Sequence, residues 1–230
     1  MRKTFAVSLL SLSLLTLAAC KGNKENLSEN LSYVLTFKTP DAAKRIELMN
    51  AATRVVQARV ESMGGKVANQ KVKPTNDTAL LTLNISDLAL VPPLTDGLTS
   101  PLSFRIMRKA EEKETADITV EQFGGFKETG LTEKELAWLS AAADTKSNPP
   151  TGIVVVELTP EGKTIFQEIA KKYKGKALGI FVRGRLVSMM NDVKDAQESI
   201  VISGIPTPQI ATLFADDINV GLHVVFAPQK

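Results

Sequence analysis

One order of elements occurs twice along the chain: an apolar strand, a capped amphipathic helix, then further strands. In the first stretch, residues 32–37 place Tyr33, Leu35 and Phe37 on one face, the period of two of a half-buried strand. Thr39-Pro40-Asp41 punctuates the chain and starts a helix. Ile46, Met49, Thr53, Val56, Val60 and Met63 then recur at helical spacing, with Arg45, Arg54, Arg59 and Glu61 at other positions and a left-handed stop at Gly64-Gly65. Strands over 66–72 and 78–85 follow, joined by a turn at 73–77, and a short strand over 103–107 comes after the Pro-, Gly- and Thr-rich segment 91–101. In the second stretch, 153–158 is a nearly continuous apolar strand. Thr159-Pro160 supplies an N-cap and a proline at the first helical position, ahead of Ile165, Phe166 and Ile169 at helical spacing. Strands over 177–182 and 185–189 meet in a tight hairpin at Arg183-Gly184, and 199–202 is another strand. Thr207-Pro208 opens a helix with Ile210, Leu213 and Phe214 inward, and 220–226 closes as a strand that contains His223. The expected fold class is therefore α+β: layered antiparallel sheets with helices on one face, built of two split-βαβ (ferredoxin-like) units.

This pattern divides the chain into an N-terminal α+β unit at 31–108, a less regular middle segment at 109–151 and a C-terminal α+β unit at 152–230. In the middle segment, Glu111, Glu112 and Glu114 with Lys109 and Lys113 read as a solvated face. Gly124-Gly125 reads as a turn. Thr132-x-x-Glu135 has the pattern of a capping box and predicts a short helix over 133–143, with Trp138 packed on the core. Lys171, Lys172, Lys174 and Lys176 crowd the end of the helix that starts at Pro160, where cations complement the helix dipole.

The first thirty residues carry a different signal. Arg2 and Lys3 precede an apolar run from Phe5 to Leu17, and Leu17-Ala18-Ala19 leads into Cys20, the one cysteine of the chain. The run is too short for a spanning helix, which needs about 20 apolar residues. A small-residue cleavage site followed at once by cysteine resembles the bacterial lipoprotein box. That resemblance implies a signal peptide at 1–19, lipidation of Cys20 and a flexible tether at 20–30. Lys21 follows the cysteine, and no Asp stands there to resemble an inner-membrane retention signal. The expected place is the cell envelope, lipid-anchored, at the outer membrane facing the periplasm. With Arg2 and Lys3 removed, the 28 Lys and Arg and 25 Asp and Glu of the chain come close to balance. A nearly neutral chain offers no electrostatic signal for nucleic acid.

Residues 152–228 resemble the end of the first large periplasmic domain of SecD, a subunit of the bacterial protein-export machinery. The residues that carry the resemblance are Val154-Val155-Val156-Glu157-Leu158-Thr159-Pro160-Glu161-Gly162, similar to the family's strand and Thr/Asn-x-x-Gly helix start. Gly175-Lys176-Ala177-Leu178-Gly179-Ile180 through Arg183-Gly184 to Ser188 is similar to its Gly-Lys-x-Leu-Ala-Ile-x-x-Asp-Gly-x-x-x-Ser hairpin. Ile202-Ser203-Gly204 with Thr207 is similar to its Ile-Ser-Gly-x-Phe-Thr run, and Asn219-Val220-Gly221-Leu222 lies where the family has a helix end and a Gly-Ala-Leu strand start. Upstream, Leu131-Thr132-Glu133-Lys134-Glu135-Leu136 and Arg59-Val60-Glu61-Ser62-Met63-Gly64 match more loosely. The family's glycine-rich run before Ile-Ser-Gly is replaced by a charged stretch from Asp192 to Ser199, and its six-helix membrane portion has no counterpart in the sequence. The resemblance implies a SecD-like head on a lipid tether, in contact with envelope or exported proteins, without proton-driven work.

The catalytic inventory is thin. His223 is the one histidine, expected in a structural or surface role, and no His/Cys or His/His spacing builds a metal site. Asp216-Asp217 and Asp192 with Asp195 are the carboxylate pairs. No phosphate-binding Gly-rich loop occurs, and no cofactor is expected. Two functions of different class remain: a membrane-tethered, non-catalytic binding or assembly module that holds extended polypeptide, and an envelope hydrolase using surface carboxylates. An open groove beside an unpaired strand distinguishes the first, and a deep pocket with convergent carboxylates the second.

Overall fold

A computed structural model describes residues 31–191, 193–194 and 199–229. Cys20, the tether and the Asp192 and Asp195 pair lie outside the described residues.

The chain is α+β. In order it forms β1 (Leu31–Phe37), α1 (Ala42–Ser62), β2 (Val67–Thr75), β3 (Thr78–Ile85), α2 (Val91–Thr99) and β4 (Phe104–Lys109). Next come β5 (Ile118–Val120), β6 (Gly124–Thr132), β7 (Leu136–Asp144), β8 (Thr151–Leu158) and α3 (Pro160–Lys172). The last elements are β9 (Leu178–Val182), β10 (Arg185–Met190), β11 (Ile200–Ile205), α4 (Pro208–His223) and β12 (Val224–Pro228). Three antiparallel sheets result, ordered β12-β1-β3-β2, β10-β9-β4-β6-β5 and β11-β8-β7. The first sheet has the strand order of a ferredoxin-like βαββαβ unit, with α1 as its first crossover and α4 as its second. Its last helix and strand are the last of the chain, so the first and last described strands lie side by side in one sheet. The second strand–helix–strand run, β8–α3–β9, passes between two sheets.

Local chemistry accounts for the helix starts. Asp41 caps α1 by accepting from the Ala43 and Lys44 amides. Thr159 caps α3 by accepting from Gly162 N–H, and Thr207 caps α4 by accepting from Ile210 N–H, each ahead of a proline. The hairpin between β9 and β10 turns at Arg183 and Gly184, both at positive φ of 48° and 74°, the conformation a two-residue hairpin demands.

The helix faces depart from the sequence reading. Helix α1 buries Leu48, Ala51, Ala52, Val55, Val56 and Val60, while Ile46 is 58% exposed. Helix α4 buries Ala211, Ala215, Ile218, Asn219 and Val220; Ile210 is 49% exposed, and Leu213 and Phe214 are half-buried. Both shifts have one cause. Each helix turns an alanine-bearing face to its own apolar cluster, Ala51 and Ala52 of α1 in one and Ala211 and Ala215 of α4 in the other, and a search for large apolar residues passes over alanines.

The segment 109–151 is strand-rich, carrying β5, β6 and β7. The capping box Thr132–Glu135 is present, but it heads a single 3₁₀ turn, Glu133–Glu135, and the chain then runs as β7 against β8 in place of the predicted helix. The pairing partner decides this, since the apolar Leu136 and Leu139 fit β8 across a bulge. Segment 91–101 holds α2, which Pro92 and Pro93 start from its first positions. Lys73 and Pro74 belong to β2, so the turn to β3 shrinks to Asn76 and Asp77. His223 ends α4 instead of lying in the last strand.

Two main apolar clusters form the core. One lies under α1 and α2 on the first sheet, with Leu35, Val56, Val60, Leu81 and Phe226. The other joins the remaining sheets to α3 and α4, with Phe104, Val156, Phe166, Ile180 and Ile218. Helix α4 serves both, through Val220 and Ile218 respectively. Trp138 packs against the first cluster, as expected.

Candidate functional site

An open, mostly apolar hollow of about 550 Å³ lies between the C-terminal half of α1, the end of α2 and α4. Its apolar floor is Ile210, Leu213 and Phe214 on one side and Val55 and Ala58 on the other. The phase of α4 creates it: the alanine face takes the core contacts, and the larger side chains are left along the rim. Ile210 and Phe214 also line a second hollow of about 320 Å³. That one is bounded by Val187 and Ser188 of β10 and by Ile202 to Ile205 of β11. The two hollows thus form one groove along α4.

Strands β10 and β11 are the outer strands of their sheets. Among the described residues no strand pairs with their outer edges. Val187 is 43% and Val201 41% exposed. The sequence reading had Ile210 and Phe214 inward; the signal for a groove was in the same residues, because they exceed what the alanine face of α4 leaves uncovered.

The other end of the groove is charged. Arg59 Nη2 donates to Asp217 Oδ1 at 2.7 Å, and Arg183 Nη1 donates to the other carboxylate oxygen. A hollow of about 200 Å³ beyond them is lined by Arg59, Arg183 and Lys38. The neighbouring Asp216 points elsewhere. Successive helical residues are rotated by about 100°, so Asp216 reaches Arg54, with Nε donating at 2.7 Å and Nη2 at 3.1 Å. Hydrogen bonding to Asp216 raises the Arg54 pKa. Adjacent in sequence, the two carboxylates are split between different arginines and do not converge.

Arg54 and Asp216 line a fourth, more polar hollow of about 250 Å³, with Trp138, Leu139 and Asn219. Here Asn219 holds the buried edge of β7. Leu139 N–H donates to Asn219 Oδ1 at 2.9 Å, and Asn219 Nδ2 donates to Leu139 C=O at 2.8 Å. His223 Nε2–H donates to the Ala137 carbonyl at 3.0 Å, and the ring stacks on Trp138 with centroids 5.4 Å apart. Lys44 Nζ sits 4.8 Å from the Trp138 ring centroid. Burial, with Lys44 and Lys38 nearby, pushes the His223 pKa down. The histidine is thus a partly buried structural group.

The remaining sequence candidates lie apart from the groove. Glu114 pairs with Arg108, which holds its carboxyl at about 2. Lys172 lies over the Tyr173 ring at the end of α3. Among the described residues no cluster of three or more His, Cys, Asp or Glu could hold a metal ion. Among them, too, no helix is long and apolar enough to cross a membrane.

Neither a protein-family model nor a curated protein matches the chain. Three solved structures are similar in fold. A membrane component SecDF that enhances protein export aligns at TM-score 0.46 and 18% identity, over 87% of this chain and 98% of that one. SecDF in a super-membrane-facing form aligns at TM-score 0.48 and 19% identity, over 89% of this chain. The translocon-associated membrane protein SecDF from Thermus thermophilus aligns at TM-score 0.49 and 18% identity, over 88% of this chain. The chain spans 30% of the length of each of these last two.

Proposed function

We propose that this chain is a lipid-tethered, non-catalytic binding module of the bacterial envelope, which holds an extended apolar stretch of an unfolded or exported protein in the groove along α4. The observation that carries this reading is an apolar hollow continuous with a cleft between two outer strands. An extended segment seated there adds backbone hydrogen bonds to a strand edge while its alternate side chains bury against Ile210 and Phe214. Two of the other outer strands are guarded. Strand β2 exposes Lys71, Lys73 and Pro74, and β7 is held by Asn219 and His223. Acyl groups on Cys20 hold the module at the outer membrane, since two or more chains anchor stably. Residues 21–30 then reach at most about 35 Å from the lipid to β1.

The test is fluorescence anisotropy of a labelled, alternating Val/Thr peptide titrated with the full chain in detergent. Binding is expected near a Kd of about 1 μM, or roughly 8 kcal/mol, and Phe214→Ser, which also loses core contacts and melts lower, weakens it when measured well below its own melting temperature. Failure of such peptides to bind, or equal binding by Phe214→Ser, overturns the groove reading. For the tether, intact mass of the membrane-extracted protein is expected to include the acyl groups. A Cys20→Ser form of unchanged membrane fraction and acyl mass would rule it out.

A further inference from the structure

We infer, on the basis of the groove reading above, that the segment held in the groove carries an Asp or Glu side chain beside its apolar residues. The charged end of the groove is the reason. Arg59, Arg183 and Lys38 line one hollow, and Asp217 is the acid that faces them. Three cations against one carboxylate leave a positive surplus where the apolar floor ends. The two guanidiniums commit three N–H groups to Asp217. Each guanidinium has five, and Arg59 and Arg183 make no other side-chain hydrogen bond among the described residues. The Lys38 ammonium, at the exposed rim, has neither hydrogen bond nor ion pair among them.

Both arginines are set in place by the fold. Arg183 is fixed by the hairpin, with its own N–H donating to Ser103 C=O at 2.8 Å. Arg59 crosses α2 at Gly97, where an added Cβ would stand 3.1 Å from Nη1. A larger residue there would press on the guanidinium. The charged hollow shares Arg59, Gly97 and Arg183 with the apolar one, which in turn shares Ile210 and Phe214 with the cleft at β10 and β11. The cations therefore stand beside the apolar floor, within reach of an internal side chain of a segment seated there.

The experiment compares three labelled peptides on the full chain in detergent: the alternating Val/Thr peptide with a central Glu, the same with Gln and an amidated end, and the Gln form with a free terminal carboxylate. The Glu peptide is expected to bind about fivefold to tenfold tighter than the amidated Gln peptide at low salt, and the difference shrinks at high salt. Lys38→Gln, at an exposed position, reduces that preference, while Asp217→Asn increases it by releasing the two guanidiniums. Equal affinity for the Glu and Gln peptides overturns the inference and leaves the groove reading standing. Tighter binding of the free-carboxylate Gln peptide than of the Glu peptide overturns it in favour of a chain end. An unchanged preference in Lys38→Gln together with no gain in Asp217→Asn also overturns it. Failure of all three peptides to bind would instead sink the groove reading itself.

Discussion

Two hollows meet at helices α1 and α4, and each borders a strand edge. In the first, Asn219 makes two hydrogen bonds to Leu139 on the edge of β7, His223 bonds to Ala137, and Arg54 pairs with Asp216. In the second, Ile210, Leu213 and Phe214 face an apolar space, and the outer edges of β10 and β11 are taken by no strand among the described residues. The same two helices build both. The difference teaches that the fold satisfies its polar backbone on one side and leaves apolar surface and strand edge on the other. A backbone edge that the protein's own side chains already occupy has no donors or acceptors to offer a ligand.

The strongest way to break the comparison is to remove what both hollows stand on. Val60 is fully buried in α1. Val60→Asp puts an unpaired carboxylate into the core and is expected to cost more than about 3 kcal/mol, with loss of the cooperative melting transition and of peptide binding together. Next, Asn219→Ala strips the β7 edge of its partner and leaves the Leu139 N–H and C=O buried without hydrogen bonds. Chemical denaturation is expected to show a loss of about 1–3 kcal/mol, while the peptide Kd stays within about twofold. A fall in peptide affinity of the same size would mean that the two hollows are not independent.

Ile210→Ser acts on the other side only. Its side chain is already half exposed, so stability should hold while peptide affinity drops by about threefold to tenfold, since burying an aliphatic side chain contributes about 1.5–3 kcal/mol when complete. The smallest effect concerns pH. The folded state depresses the His223 pKa, so on acidification the unfolded chain takes up the proton first. The stability contribution is whole above about pH 6.5, the unfolded value, and is lost as pH falls from there towards the folded pKa. His223→Gln should flatten that part of the stability profile and leave peptide binding unchanged.

Much of the local structure was legible in the sequence. Caps at Asp41, Thr159 and Thr207, the prolines after the last two, and the Arg183-Gly184 turn all act within a few residues, so their chemistry is complete in the sequence. The strand-rich middle was not legible, because the capping box at Thr132 and Glu135 is a valid helix start that β8 outcompetes one turn later. Nor was the groove: its residues read as core, and only the packing of Ala211 and Ala215 into the core left Ile210 exposed and Phe214 half-buried.

By itself, then, the sequence determined the fold class and the starts of α1, α3 and α4, because periodicity and capping are local. Tertiary structure alone decided three things. It joined β12 to β1, so that the first and last described strands close one sheet. It set the phase of α4 and sent Asp216 and Asp217 to different arginines. It also placed two outer strands beside an apolar floor. Each of these depends on which distant surface an element packs against, and a linear pattern does not record that distance.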